Sequence, residues 1–75
     1  MRYTASEATR EVMREMHEGE KVKGYELYER VLGKLKFNGV NERPLDSTVL
    51  RRVREFGPDC RVFAVGMSKS EYVKV

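Results

Sequence analysis

Tryptophan is absent from this sequence, cysteine and histidine occur once each, and proline only twice. A single cysteine, Cys60, allows no internal disulfide and no thiolate metal cluster, which suits a reducing, cytoplasmic setting. A single histidine, His17, excludes the paired-histidine metal motifs, and no glycine-rich phosphate loop is present. No apolar run approaches the roughly 18 residues that a membrane-spanning helix requires. The opening stretch MRYTASEATREVM has no apolar segment of the kind a secretory signal carries. These absences leave a single globular domain with no membrane role, no cofactor and no metal, and they argue against an enzyme. With 75 residues, folding buries about 60 % of the chain's surface, so the core must be small and well chosen.

What is present is charge, unevenly placed. The net charge is +3, but residues 1–20 set three arginines against five glutamates. Residues 21–44 carry six basic and three acidic groups, and residues 45–75 six and four. The beginning is acidic and the rest basic, as expected if one side meets a polyanion. Charge alone decides nothing, because a skew this small also arises on an ordinary solvated surface.

Apolar spacing organises the chain into helices and strands. Thr4 to Glu7 forms a capping box, and Ala5, Ala8, Val12 and Met16, with Met13 beside them, predict a helix from Thr4 to Glu18. Val22 lies in a short connector and reads as an inward residue of a one- or two-residue strand. Gly24 opens a second helix to Phe37, with Leu27, Val31 and Leu35 in one row and Tyr28 and Leu32 in the next. Gly33 interrupts that helix at a cost of about 1 kcal/mol relative to alanine, which predicts close approach by a neighbouring element. Asn38-Gly39 stops it, and Arg43 before Pro44 is extended.

A third helix is predicted over residues 46–56, capped by Asp46 or Ser47 and stopped by Gly57-Pro58. Leu45, Val49, Val53 and Phe56 give its apolar stripe and Leu50 widens it, so that Val31, Leu35, Leu50 and Val53 share one core. The opposite face carries Ser47, Thr48, Arg51, Arg52 and Glu55, with Arg54 at the flank. Strands at 60–65 and 71–75 then form a hairpin around a five-residue loop. Tyr28, Phe56, Phe63 and Tyr72 read as core aromatics, and Tyr25 stands outside the apolar row.

Helix, short strand, helix, turn, helix, strand, loop, strand is an order that resembles the winged helix-turn-helix superfamily. The resemblance spans the whole chain. It rests on GYELYERVL in the second helix, LDSTVLRRVREF in the third and CRVFAVGMSKSEYVKV in the hairpin. It implies an α+β fold of three helices and a small antiparallel wing. It also implies a third helix in the major groove and a wing loop on the DNA backbone. The implied groove residues are Ser47, Thr48, Arg51 and Arg52, with Arg54, Arg43 and Tyr25 beside them and Lys69 at the wing tip. The connection from Asn38 to Leu45 is longer than the turn of a compact helix-turn-helix.

Each of these signals has a plainer reading. Three arginines on one helix are often a solvated face, and Arg51 with Glu55 is a ready i to i+4 pair. The hairpin that follows, with Ser47-Thr48 at the helix start, brings them to one side and favours binding. His17 suits a helix C-terminus, and Cys60 suits a buried small hydrophobe. A nucleophilic pair of the two would have no orienting third group. Glu7, Glu11, Glu15 and Glu18 form an acidic row better explained by Arg10 and Arg14 than by a metal. The sequence thus predicts a small regulator of transcription that binds duplex DNA, alone or as a homodimer. The alternative is a module of the same fold that docks an acidic protein or a nucleic-acid enzyme.

Overall fold

In the computed structural model, which describes residues 3–66 and 71–75, three helices pack on one side of a three-stranded antiparallel sheet. The elements are α1 (Ala5–Glu15), β1 (Lys21–Lys23), α2 (Gly24–Phe37), α3 (Asp46–Cys60), β2 (Val62–Val65) and β3 (Glu71–Lys74). The strand order is β1-β3-β2. The α+β class and the element order are therefore as the spacing predicts, and the short strand joins the hairpin as its third member.

Thr4 starts α1 by accepting the Glu7 N–H on its hydroxyl at 3.2 Å, which satisfies one of the free donors of the first turn. Ala5, Ala8, Val12, Met13 and Met16 are all buried. Thr9 is buried among them, and its hydroxyl donates to the Ala5 carbonyl at 2.7 Å. The helix stops at Glu15, earlier than expected, because Met16 turns extended and stays in the core. His17 to Glu20 then form a turn, in which the Glu20 N–H donates to the His17 carbonyl.

In α2 the Leu27, Val31 and Leu35 row is fully buried, and Tyr28 and Leu32 are half-buried beside it. The expected close approach at Gly33 does not occur, since a Cβ there would meet nothing within 4 Å. Two other glycines have that role. At Gly24 a Cβ would come 3.2 Å from Leu50 Cδ1, so this glycine lets α3 sit against the start of α2. At Gly57 a Cβ would come 2.6 Å from the Val62 carbonyl oxygen, a distance backbone atoms do not tolerate.

That contact explains why Gly57-Pro58 does not end α3. The helix continues to Cys60 and ends at Arg61, whose backbone is left-handed (φ 59°) and whose N–H donates to the Gly57 carbonyl. Proline removes a single bond in the last turn, while burial of Cys60 and the seat of β2 on Gly57 hold that turn in place. Cys60 is thus the last helical residue rather than the first of a strand, though it is buried as expected. At the other end Leu45 occupies the cap position and is 70 % exposed, outside the stripe assigned to it. Neither Asp46 nor Ser47 caps the helix; the Asp46 carboxylate instead accepts the Ser47 N–H from within the first turn. Val49 and Val53 are fully buried, and Leu50 and Phe56 only partly.

Alternation sorts the sheet. Val22, Tyr72 and Ala64 lie side by side on the inward face, with Val62 one row further on. Phe63, expected in the core, lies in the outward register and is 43 % exposed. Lys74 shares the inward face with Tyr72, and its ammonium donates to the carbonyls of Met13 and Cys60, both at 2.8 Å. One lysine thereby donates to carbonyls at the ends of two helices and ties them to the sheet.

Candidate nucleic-acid interface

The outward side of α3 is built from three rows of side chains at helical spacing. Thr48, Arg52 and Phe56 form the row toward α1, where the Arg10 guanidinium lies 4.3 Å from the Phe56 ring centroid. Thr48 and Arg52 are half-buried in that row. Ser47, Arg51 and Glu55 form the middle row and are exposed. Leu50, Arg54 and Gly57 form the row toward the sheet, where Leu50 meets Gly24 and Gly57 meets Val62. The face expected to present Ser47, Thr48, Arg51 and Arg52 together is thus split. Ser47 and Arg51 point away from the domain, and Thr48 and Arg52 turn to the α1 flank.

Arg54 takes the place that Arg52 was expected to hold. Its guanidinium approaches the Tyr72 hydroxyl at 3.4 Å, a long contact that orients the side chain without neutralising it. Arg51 lies 3.8 Å from the Glu55 carboxylate, with both side chains more than 60 % exposed. A pair this exposed holds its charges loosely. The Gly24–Leu50 contact brings the start of α2 beside this arginine pair. There Tyr25 is 64 % exposed, and Lys23 pairs with Glu71 at 3.8 Å. Lys23 was not among the expected contacts; its signal in the sequence is its place just before Gly24. Arg43 is exposed in the connection between α2 and α3. That connection is pinned by the Tyr28 hydroxyl, which donates to the Pro44 carbonyl at 2.6 Å. Lys69, the expected wing contact, lies outside the described residues.

Because α3 continues to Cys60, it includes Asp59 as well as Asp46 and Glu55, so its three arginines are balanced by three acids. The helix as a whole is neutral. Its cationic character is local, set by where Arg51 and Arg54 project.

The acidic side of the molecule is organised differently. Lys34 donates to Glu15, and this bond pushes the lysine pKa up from its usual value. Glu20 accepts the His17 N–H and the Arg30 guanidinium, which together hold its carboxyl below the usual carboxylate range. Burial, and then the bond that its hydroxyl donates to Glu11, raise the Tyr3 pKa well above the normal phenol value. Among the described residues no group of three His, Cys, Asp or Glu side chains could hold a metal ion. No helix among them is long and apolar enough to cross a membrane. Compared with known proteins, the chain matches no family model, no curated protein and no solved structure.

Proposed function

We propose that this chain is a winged-helix-type DNA-binding protein that regulates by occupying duplex DNA. The observation that carries the reading is the grouping of Arg51 and Arg54 on one exposed side of a core-anchored helix, with Lys23 and Tyr25 held alongside by the Gly24–Leu50 contact. Element order and the antiparallel β2–β3 pair support it, being what the superfamily resemblance implies.

On this reading α3 enters the major groove with its middle row foremost. Arg51 is the residue able to offer two parallel donors to a guanine edge. Arg54, steadied by Tyr72, and the Ser47 hydroxyl contact phosphates and fix the register. Lys23, Arg43 and the Tyr25 hydroxyl take the flanking backbone. Arg52 and Thr48 become supporting residues on the α1 flank.

A neutral helix implies a weak, backbone-led binder. Lys23, Arg43 and Arg54 would engage about three phosphates, so log affinity should fall against log salt with a slope near −3. Titrating a fluorescent duplex at several salt concentrations measures this directly. The docking of an acidic protein on the same arginines is the second reading, favoured by the balance of three acids and three arginines in α3. Duplex affinity that is absent at low salt, while an acidic polypeptide still binds, would establish that second reading.

A further inference from the structure

Apart from Lys23, the outward face of the sheet takes no part in the proposed DNA contact, and it carries a pattern of its own. Lys21, Val73 and Phe63 stand side by side across the three strands, and Lys23, Glu71 and Val65 form the next row. Arg61 lies just before β2, and its carbonyl accepts the Val75 N–H at 2.7 Å, which continues the same register. Phe63 and Val65 on β2 and Val73 on the central strand make an apolar strip, with Glu71 at one end of the central strand facing Lys23 at 3.8 Å. Phe63 and Val65 are 43 % and 36 % exposed there, although one edge of the Phe63 ring lies beside Gly57 of α3. The margins are basic on both edges: Lys21 and Lys23 on β1, Arg61 beside β2. Lys21 and Arg61 make no ion pair among the described residues.

We infer that this face docks an amphipathic, acidic helix of a partner protein. Its dimensions fit, since the outer strands of a three-stranded sheet stand roughly 10 Å apart, about the diameter of a helix. A helix laid along the strands would set its apolar row on Phe63, Val65 and Val73. Its flanking carboxylates would then reach Lys21 and Lys23 on one side and Arg61 on the other.

Other occupants fit less well. A second copy stacked face to face would oppose cation to cation on both margins. Duplex DNA offers phosphates but no apolar row, and a single strand needs stacking aromatics where this face has only Phe63. Strand addition is hindered at one residue of each edge strand. The Glu26 carboxylate occupies the Lys23 N–H on β1, and the Val62 carbonyl on β2 faces Gly57.

The test uses a synthetic helical peptide with leucines on one face and glutamates on both flanks, titrated into the isotope-labelled chain and followed by amide chemical shifts. Signals from residues 21–23, 61–65 and 71–75 should move while those of α3 do not, which separates this result from the fate of the DNA reading. Replacing the peptide glutamates with lysine, or its leucines with serine, should abolish the effect. Phe63→Ser should weaken binding tenfold or more at an unchanged melting temperature. If that variant fails to fold, Lys21→Glu with Arg61→Glu should weaken it to the same extent. The proposal is overturned by shifts confined to α3 or by none at all. Tighter binding of a single-stranded oligonucleotide or of anionic vesicles to the same residues would also overturn it, as would self-association that Phe63→Ser abolishes.

Discussion

On the α1–α2 side, Lys34 donates to Glu15 and Arg30 to Glu20 at 2.9 Å, linking elements far apart in sequence. On the α3–sheet side, the Arg51–Glu55 and Lys23–Glu71 pairs stand at 3.8 Å, and both join exposed partners. The first set consists of hydrogen-bonded ties between α1, its following turn and α2. The second set leaves each guanidinium or ammonium largely to solvent. A cation committed to a cross-element bond is poorly placed to meet a ligand; one held loosely can exchange its partner for a phosphate or a carboxylate. Local pairing, more than the net charge of +3, separates structural cations from those available for recognition.

The largest expected effect lies at the seam joining α3 to the sheet. Gly57→Ala places a methyl where the Val62 carbonyl stands and should destabilise the domain by about 1–3 kcal/mol, as overpacking does. Gly33→Ala, in open space on the other side, should instead stabilise it by about 1 kcal/mol. Urea unfolding of the two variants reads both, and equal effects would remove the distinction between the two glycines.

That pair also shows where sequence reasoning stops. Gly33 interrupts a helical pattern and Gly57 stands where one was expected to stop, and nothing in the local sequence tells which of them another element approaches. The apolar rows of α1 and α2 were legible because periodicity records burial directly, down to Val22 in its short strand. The end of α3 was not legible. Proline at 58 signals a stop, and only the docking of β2 on Gly57 and the burial of Cys60 explain why the helix continues. Phe63 misled for a related reason: β2 is apolar on both faces, so alternation cannot say which face points inward. In the candidate site, the residue types were readable but their rows were not. One helical turn holds Arg51, Arg52 and Arg54, and the choice between them depends on contacts with Phe56, Gly24 and Tyr72.

Lys74 gives the next effect. It is a cation used wholly for structure, although it lies on the sheet. Lys74→Met keeps the length and removes the donor, leaving the Cys60 carbonyl without the lysine and the Met13 carbonyl with only the long bond from the Met16 N–H, so thermal or urea unfolding should show a loss of about 1–3 kcal/mol. A loss much below that range would mean that water replaces the ammonium, and that the lysine is available for binding after all.

A smaller effect concerns pH. The Glu20 carboxyl is lowered by the His17 N–H and then by Arg30. Its stabilisation is therefore present above the unfolded-state pKa and is lost as pH falls through the lower folded-state value. Glu20→Gln should leave a shallower decline of stability on the acid side than the parent shows. An unchanged acid limb would mean that the Arg30–Glu20 tie is as loose as those of α3.

The most direct measurement compares two double variants for both melting temperature and duplex affinity. Arg51→Ala with Arg54→Ala should keep stability within about 0.5 kcal/mol, as surface changes do. The same variant should lose most duplex binding and about one unit of salt slope, through the Arg54 phosphate contact. Arg30→Ala with Lys34→Ala should melt earlier and bind duplex as the parent does. If instead the α1–α2 variant loses binding, or the α3 variant retains it with an unchanged slope, recognition does not reside on the loosely paired side and the account is wrong.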